Sequence, residues 1–177
     1  IRRPPSHFPG LAVQEGSIRT MGPIRTFFTA FAERDWTLMG ACYHDGARFN
    51  DRIFHQLEAR EVRAMWRLRL NGVEDLRLAF LVLEENAGSG RVRWNAWYTT
   101  NGGRRVHDRV TSTFAFKDGL ILRQDDQFDF WRWSRQVLGL KGLLLGWTTW
   151  LRDEVRKGAM VRIRKSPELA GPQGTTF

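Results

Sequence analysis

Carboxylates rarely stand among the apolar residues of a strand, and this sequence places two there. Between residues 104 and 117 the even positions read Val106, Asp108, Val110, Ser112, Phe114 and Phe116. From 120 to 130 they read Leu120, Leu122, Gln124, Asp126, Phe128 and Phe130. Side chains alternate faces along a strand, so Asp108 and Asp126 share the apolar side with Ser112 and Gln124, while Asp125 and Asp129 take the solvated side. A carboxylate in that position is either desolvated, with a raised pKa suited to proton transfer, or tied to a cation such as Arg93 or Arg109. The chemistry on offer is general acid–base work.

Other reactive types contribute less. The four histidines are His7, His44, His55 and His107, and none has metal-ligand spacing. His7 lies in the opening segment, His44 in a loop and His107 on the polar face of its strand. His55, just after Asp51-Arg-Ile-Phe, is placed to stand at a pocket mouth. Cys42 is the single cysteine, which rules out a disulfide framework or a thiolate cluster and suits a reducing, cytoplasmic setting. Gly88-Ser-Gly90 and Gly102-Gly103 precede no helix carrying a Lys-Ser/Thr pair, so they read as hairpin glycines rather than phosphate loops. No metal and no cofactor is expected.

These side chains must be positioned by a recognisable order of elements. Ser17 is a candidate cap and Pro23 a candidate first-turn residue ahead of Ile24, Phe27, Phe28 and Phe31, which recur at helical spacing. The spacing predicts a helix to about residue 34, a second over 35–43, an extended piece at 47–51 and a third helix over 58–70 through Val62, Met65, Trp66 and Leu70. Alternating, β-rich segments then follow over 75–85, 91–100, 104–117 and 120–130, separated by glycine turns that supply the positive φ of tight hairpins. A short helical turn at 131–138 and a helix over 150–163 close the pattern. Helices followed by a long meander give an α+β layer, whose twisted sheet curls around the helices and leaves one open end.

The chain of 177 residues is about one domain long. We read residues 1–16 as a disordered lead-in, 17–139 as the cone-shaped domain, 140–166 as a C-terminal capping helix and 167–177 as a flexible tail. With 8 Trp and 12 Phe, aromatic surface exceeds what a minimal core consumes. No apolar run is long enough to span a bilayer, so a soluble protein is expected. The net charge of +9 is concentrated between Trp131 and Lys165, where nine basic residues meet two acidic ones. Trp131, Trp133, Trp147 and Trp150 share that region with Leu143, Leu144 and Leu145. The ordinary reading is an apolar stripe packed on the sheet with a solvated basic back, closing the cone. A nucleic acid or an anionic surface is the less favoured partner for it.

The stretches Phe27-Phe-Thr-Ala-Phe-Ala-Glu-Arg-Asp35-Trp, Tyr43-His-Asp-Gly-Ala-Arg-Phe-Asn-Asp51, Gly103-Arg-Arg and Lys117-Asp-Gly-Leu-Ile-Leu-Arg-Gln-Asp-Asp-Gln-Phe-Asp129 resemble SnoaL-like, nuclear-transport-factor-2-like proteins. Polyketide cyclases, ketosteroid isomerases and limonene epoxide hydrolases belong to that superfamily. The resemblance implies a cone-shaped curved antiparallel sheet wrapped around three N-terminal helices. It places Asp51 where the isomerases have their general base, Phe27 where they have a donating Tyr, and Ser112 where they keep a protonated Asp. Against the epoxide hydrolases, Arg93-Trp94-Asn95 is similar to their Arg-x-Asp, Asp126 to their last-strand acid, and Phe49 replaces a water-binding Tyr. It also puts Arg93, Asn95 and Trp97 in the pocket, which leaves Trp94 and Tyr98 for the convex face of a homodimer. The periodicity of 91–100 argues the other way, because Val92, Trp94, Ala96 and Tyr98 look like the core set; in that register Tyr98 becomes an oxyanion donor.

The expected activity is cofactor-free acid–base chemistry by Asp51, Asp126, Asp108 and Arg93 on a small hydrophobic substrate, of isomerase, cyclase, dehydratase or epoxide-hydrolase type. Phe27, Phe49, Asn95, Trp97, Tyr98, Ser112, Gln124, His55 and Trp66 would contact the ligand. A non-catalytic small-ligand-binding or dimerisation module is the alternative.

Overall fold

The computed structural model describes residues 22–73 and 75–169. Ser17, His7, the lead-in 1–16 and most of the tail 167–177 lie outside them. Pro23 opens the first helix, α1 (Pro23–Ala32), which buries Ile24, Phe27, Phe28 and Phe31 on one face. The carboxylate of Asp35 then caps α2 (Trp36–Ala41) by accepting from the Leu38 amide at 2.8 Å. Glu61 caps α3 (Ala59–Asn71) by accepting from the Glu58 amide at 2.9 Å.

The sheet has six strands, not only the four of the expected meander: β1 (Tyr43–Asn50), β2 (Leu57–Glu58), β3 (Arg77–Glu85), β4 (Ser89–Thr99), β5 (Arg105–Lys117) and β6 (Leu120–Phe128). Their order is β2-β1-β6-β5-β4-β3, in a curved and unclosed sheet. All neighbours run antiparallel except β1 and β6, which pair in parallel. The segment read as a short extended piece thus begins earlier, at Tyr43, and α2 ends at Ala41. Its alternation is blurred by Asp45 and Gly46, whereas the Asp118-Gly119 turn between β5 and β6 was plain in the sequence. Both of those residues take positive φ, 52° and 75°, as a tight hairpin requires.

The helices fill the hollow of the sheet. Phe27 meets Tyr43 and Trp66 edge-on, and Phe31 meets Trp94, with ring centroids 5.1 to 5.7 Å apart across the Phe27 contacts and the Phe31–Trp66 and Phe31–Trp94 pairs. Each such pair adds about 0.5–1.5 kcal/mol beyond its buried area. After the sheet come α4 (Phe130–Leu138), α5 (Leu140–Leu145) and α6 (Thr149–Arg164). Among the described residues, no helix is long and apolar enough to cross a membrane.

Candidate active site

At the open end of the sheet lies a cavity of about 270 Å³. Phe128 of β6, Tyr98 of β4, Met65, Leu68 and Arg69 of α3 and Val155, Ala159, Arg162 and Ile163 of α6 form most of its wall, with Asp51 just beyond β1. Trp133 of α4 completes it. Burial follows the parity of the strands: along β5 Val106, Asp108, Val110, Ser112, Phe114 and Phe116 are all buried.

Asp126 is 5% exposed and sits two residues deeper along β6 than Phe128, behind the cavity wall. Two chains of hydrogen bonds converge on its Oδ1. In one, Trp94 Nε1 donates to Ser112 Oγ at 2.8 Å and Ser112 Oγ donates to Asp126 at 2.6 Å. In the other, Trp66 Nε1 donates to the Tyr43 hydroxyl at 2.9 Å, Tyr43 donates to Gln124 Oε1, and Gln124 Nε2 donates to Asp126 at 2.9 Å. The indoles can only donate, and in the arrangement present both chains run toward Asp126. Oδ1 accepts from both chains, which leaves Oδ2, without a partner among the described residues, as the place for a proton on Asp126. Burial pushes the Asp126 carboxyl up to about 7 against the two donors, and the charge of Asp51 raises it further while Arg69 opposes.

Asp51 is held differently. Its Oδ1 accepts from the amides of Ile53 and Phe54, each at 2.6 Å, fixing it in the cavity wall. Burial raises its pKa, while those two amides and then Arg69 pull toward the anion. Asp108 meets Arg69 Nη2 at 3.0 Å, and the Tyr98 hydroxyl donates to the same Oδ2 at 3.1 Å. Burial pushes Asp108 upward and Arg69 opposes it. For Tyr98, burial and then Asp108 push the phenol up to about 12. Asp108 is thereby satisfied by an ion pair, and the cation serving both Asp108 and Asp51 is Arg69.

Several expected placements need correction. Arg93, Asn95 and Trp97 are on the outer face of β4, because Trp94 must pack against Phe28 and Phe31 and therefore takes the inner parity. Asn95 Oδ1 lies 2.9 Å from His107 Nε2, and Trp97 stacks on the His107 ring at 4.7 Å. Arg93 is thus no counter-charge for the pocket. Conversely, Trp94 is core and Tyr98 faces the cavity, so neither stands on a convex interface. Phe27 and Phe49 are buried in the aromatic core rather than in the cavity wall, and Trp66 acts through Tyr43. His55 is exposed in a neighbouring groove with Arg156 and Met160. Ser112 and Gln124 touch Asp126, not the cavity.

Sequence reasoning missed Arg69, although a signal existed. Val62, Met65, Trp66, Arg69 and Leu70 fall on one helical stripe, so an arginine occupied a core-facing position. It also missed Tyr43 and the α6 wall. The Trp-rich stripe is not packed on the sheet throughout, since Trp147 and Trp150 are exposed.

Among curated proteins, no sequence matches this chain. Solved structures do. The chain is similar to TsrD from Streptomyces laurentii at 24% identity and a TM-score of 0.57, covering 67% of this chain and 93% of that one. An LEH-like epoxide hydrolase of M. tuberculosis is 18% identical, with a TM-score of 0.52 over 70% of this chain and 92% of its own. A protein of Catenulispora acidiphila with a ketosteroid isomerase-like fold, in complex with trimethylamine, is 7% identical, with a TM-score of 0.56 over 64% and 90%. At such identities these likenesses speak for the fold alone. The SnoaL-like domain itself matches residues 24–124, more than half of the chain and the whole frame from α1 to Gln124; this chain belongs to the SnoaL-like domain family.

Proposed function

We propose that the cavity is the active site of an acid–base enzyme acting without a cofactor on a small, largely apolar molecule, in a chemistry of the isomerase, cyclase, dehydratase or epoxide-hydrolase kind. The observation that carries this is the difference between two electrostatically coupled carboxyls, both raised by burial: Asp126 goes up to about 7, while Asp51 has two amide donors and Arg69 pulling it back toward the anion. Such a pair supplies one proton donor and one acceptor near neutral pH. In an isomerisation, Asp51 takes a proton from the carbon beside a carbonyl. Asp126, behind the cavity wall but 5% exposed, gives its Oδ2 proton to the developing enolate oxygen of a substrate that reaches past Phe128, and reversal at another carbon restores both acids. Epoxide opening uses the same pair, with Asp51 taking a proton from the attacking water. Arg69 and Tyr98 hold the field around them. The cavity is at or just below the small end of ligand pockets, about 300–1,000 Å³, so a compact ring system fits better than a fused polycycle.

A panel of small ketones and epoxides incubated in D₂O and followed by mass spectrometry tests this reading. Wild type should place deuterium on carbon or open the ring. Asp51→Asn and Asp126→Asn should each slow turnover by about 10² or more with the fold intact. Both variants staying within a few-fold would overturn it. The alternative, a non-catalytic small-ligand-binding or dimerisation module, draws on Phe27 and Ser112, which stand where the isomerases hold stronger donors. In that case ligand binding survives Asp126→Asn and no deuterium enters the ligand. The buried free thiol of Cys42 fits a reducing, cytoplasmic setting for either reading.

A further inference from the structure

The short helix α5 is packed inside out. It buries Gly142 and turns its leucines to solvent: Leu140 is 75% and Leu144 67% exposed, followed by Trp147 at 75% and Trp150 at 59%. The arrangement is held firmly. A Cβ on Gly142 would stand 1.9 Å from the Ser134 carbonyl oxygen, and one on Gly146 2.2 Å from Ser134 Oγ, so α5 lies against α4 as closely as glycine permits. Trp131 Nε1 donates to the Leu143 carbonyl at 3.2 Å and Trp147 Nε1 to that of Leu144 at 3.0 Å. Large apolar side chains held out together on a fixed scaffold suit a contact site.

Charge identifies the partner. Beside the leucines runs a groove lined by Arg52, Arg109 and Arg152 together with Trp131, Trp147 and one acid, Asp129, whose carboxylate accepts from the Arg132 amide at 3.0 Å as the cap of α4. The acidic residues of α6 are already used, Asp153 by Arg156 and Glu154 by Lys157. Arg52, Arg109 and Arg152 make no ion pair among the described residues, and the buried Nε of Arg152 has no hydrogen-bond partner. That nitrogen is shut from the surface above the Phe130 ring, so the groove offers an anion chiefly the exposed guanidinium groups of Arg52 and Arg109. A second copy laid on this face in a two-fold contact would set arginine against arginine. A nucleic acid would satisfy the arginines but give Leu140 and Leu144 nothing to enter. An anionic bilayer satisfies both, since tryptophan and leucine sit at the headgroup boundary while guanidinium groups meet phosphate.

We propose that α5 and the turn into α6 dock on an anionic phospholipid bilayer, with the Arg52, Arg109 and Arg152 groove receiving a lipid phosphate. The test is co-sedimentation of the full chain with vesicles of phosphatidylcholine alone and of phosphatidylcholine mixed with phosphatidylglycerol. Binding should be about tenfold or more stronger to the mixture, fall with salt, and shift tryptophan emission to the blue. Leu144→Glu with Trp147→Glu, exposed positions whose change leaves the core alone, should abolish it. Arg52→Glu with Arg109→Glu should do the same with circular dichroism unchanged. Equal binding to both vesicles overturns the proposal. So does binding of glycerol phosphate without vesicles, which marks a soluble-anion site, or tighter binding of an RNA oligonucleotide. A change of oligomeric state in the Leu144/Trp147 variant overturns it too, as the mark of an interface between copies.

Discussion

Asp126 needs no negative charge to keep its hydrogen bonds, and the pull of Arg69 toward the anion is outweighed by burial. Its Oδ1 accepts two hydrogen bonds whether or not Oδ2 carries a proton, and burial opposes ionisation. The sign of the pH effect follows. The folded chain keeps the proton up to about pH 7, whereas the unfolded chain releases it near the ordinary value of 3.8, so folding loses stability as pH rises through that window. The penalty is absent below pH 4 and reaches on the order of 4 kcal/mol above pH 7. Asparagine imitates the protonated acid, with its carbonyl oxygen at Oδ1 and its amide at Oδ2. We expect Asp126→Asn to match wild type in denaturant unfolding at pH 4 and to exceed it at pH 8, even as turnover falls. A variant less stable at both pH values would mean that Asp126 is an ionised structural partner. For Arg69 the expectation is opposite. Arg69→Met strands the buried Asp108 and should cost about 1–3 kcal/mol, less than a fully buried pair because the arginine is partly open to the cavity. Adding Asp108→Asn should recover part of that loss; strict additivity in the double-mutant cycle would show that the pair does not interact.

At the scale of elements, the sharpest structural claim concerns the join of α4 and α5. An alanine at 142 drives its Cβ into the Ser134 main chain, which cannot rotate aside, so Gly142→Ala should lower Tm by roughly 2–12 °C, from about 1–3 kcal/mol of overpacking. Gly158→Ala in α6 meets nothing within 4 Å and removes a helix-weakening glycine, so it should hold or raise Tm. Equal effects of the two would show that α5 is not seated as described. The same contrast marks what was legible in the sequence. Local periodicity showed α1, α3 and the meander, and with them Asp108 and Asp126 on the inner face, because those patterns repeat over many residues. For β4 resemblance and parity pointed to opposite faces, and the run Val92, Trp94, Ala96 and Tyr98 carried the right answer. Strand β1 was harder, since Asp45 and Gly46 break its alternation and its parallel pairing with β6 is a tertiary event. Arg69 was passed over because a cation on an apolar stripe looks like an exposed residue until Asp108, 39 positions away, is seen to reach it. The cavity wall from α6 depends on how helices dock, which no local pattern encodes.

At the scale of the whole molecule, the outer face of the sheet remains to be accounted for. Strand β3 ends the sheet, and its outward residues Leu81 and Leu83 are exposed, as is Trp97 on β4. Trp97 is held flat by the ring of His107, so ordering it in a contact costs little further entropy. Glu84 stands across from Arg91, so both signs of charge are available for pairing under a two-fold operation, unlike the mainly basic face beside α5. We therefore expect a homodimer through this outer face, with Leu81 and Trp97 near its axis, although Trp94 and Tyr98, which first suggested it, turn inward. Sedimentation at micromolar concentration should give twice the chain mass of 20.6 kDa. Leu81→Arg with Trp97→Arg should shift it to the monomer without altering the fold, because neither side chain enters the core. A wild-type monomer across that range ends the expectation, and so does a dimer indifferent to both substitutions. Since α5 lies apart from β3 and β4, the Leu144→Glu and Trp147→Glu changes should leave the dimer untouched, separating attachment to a second copy from attachment to lipid.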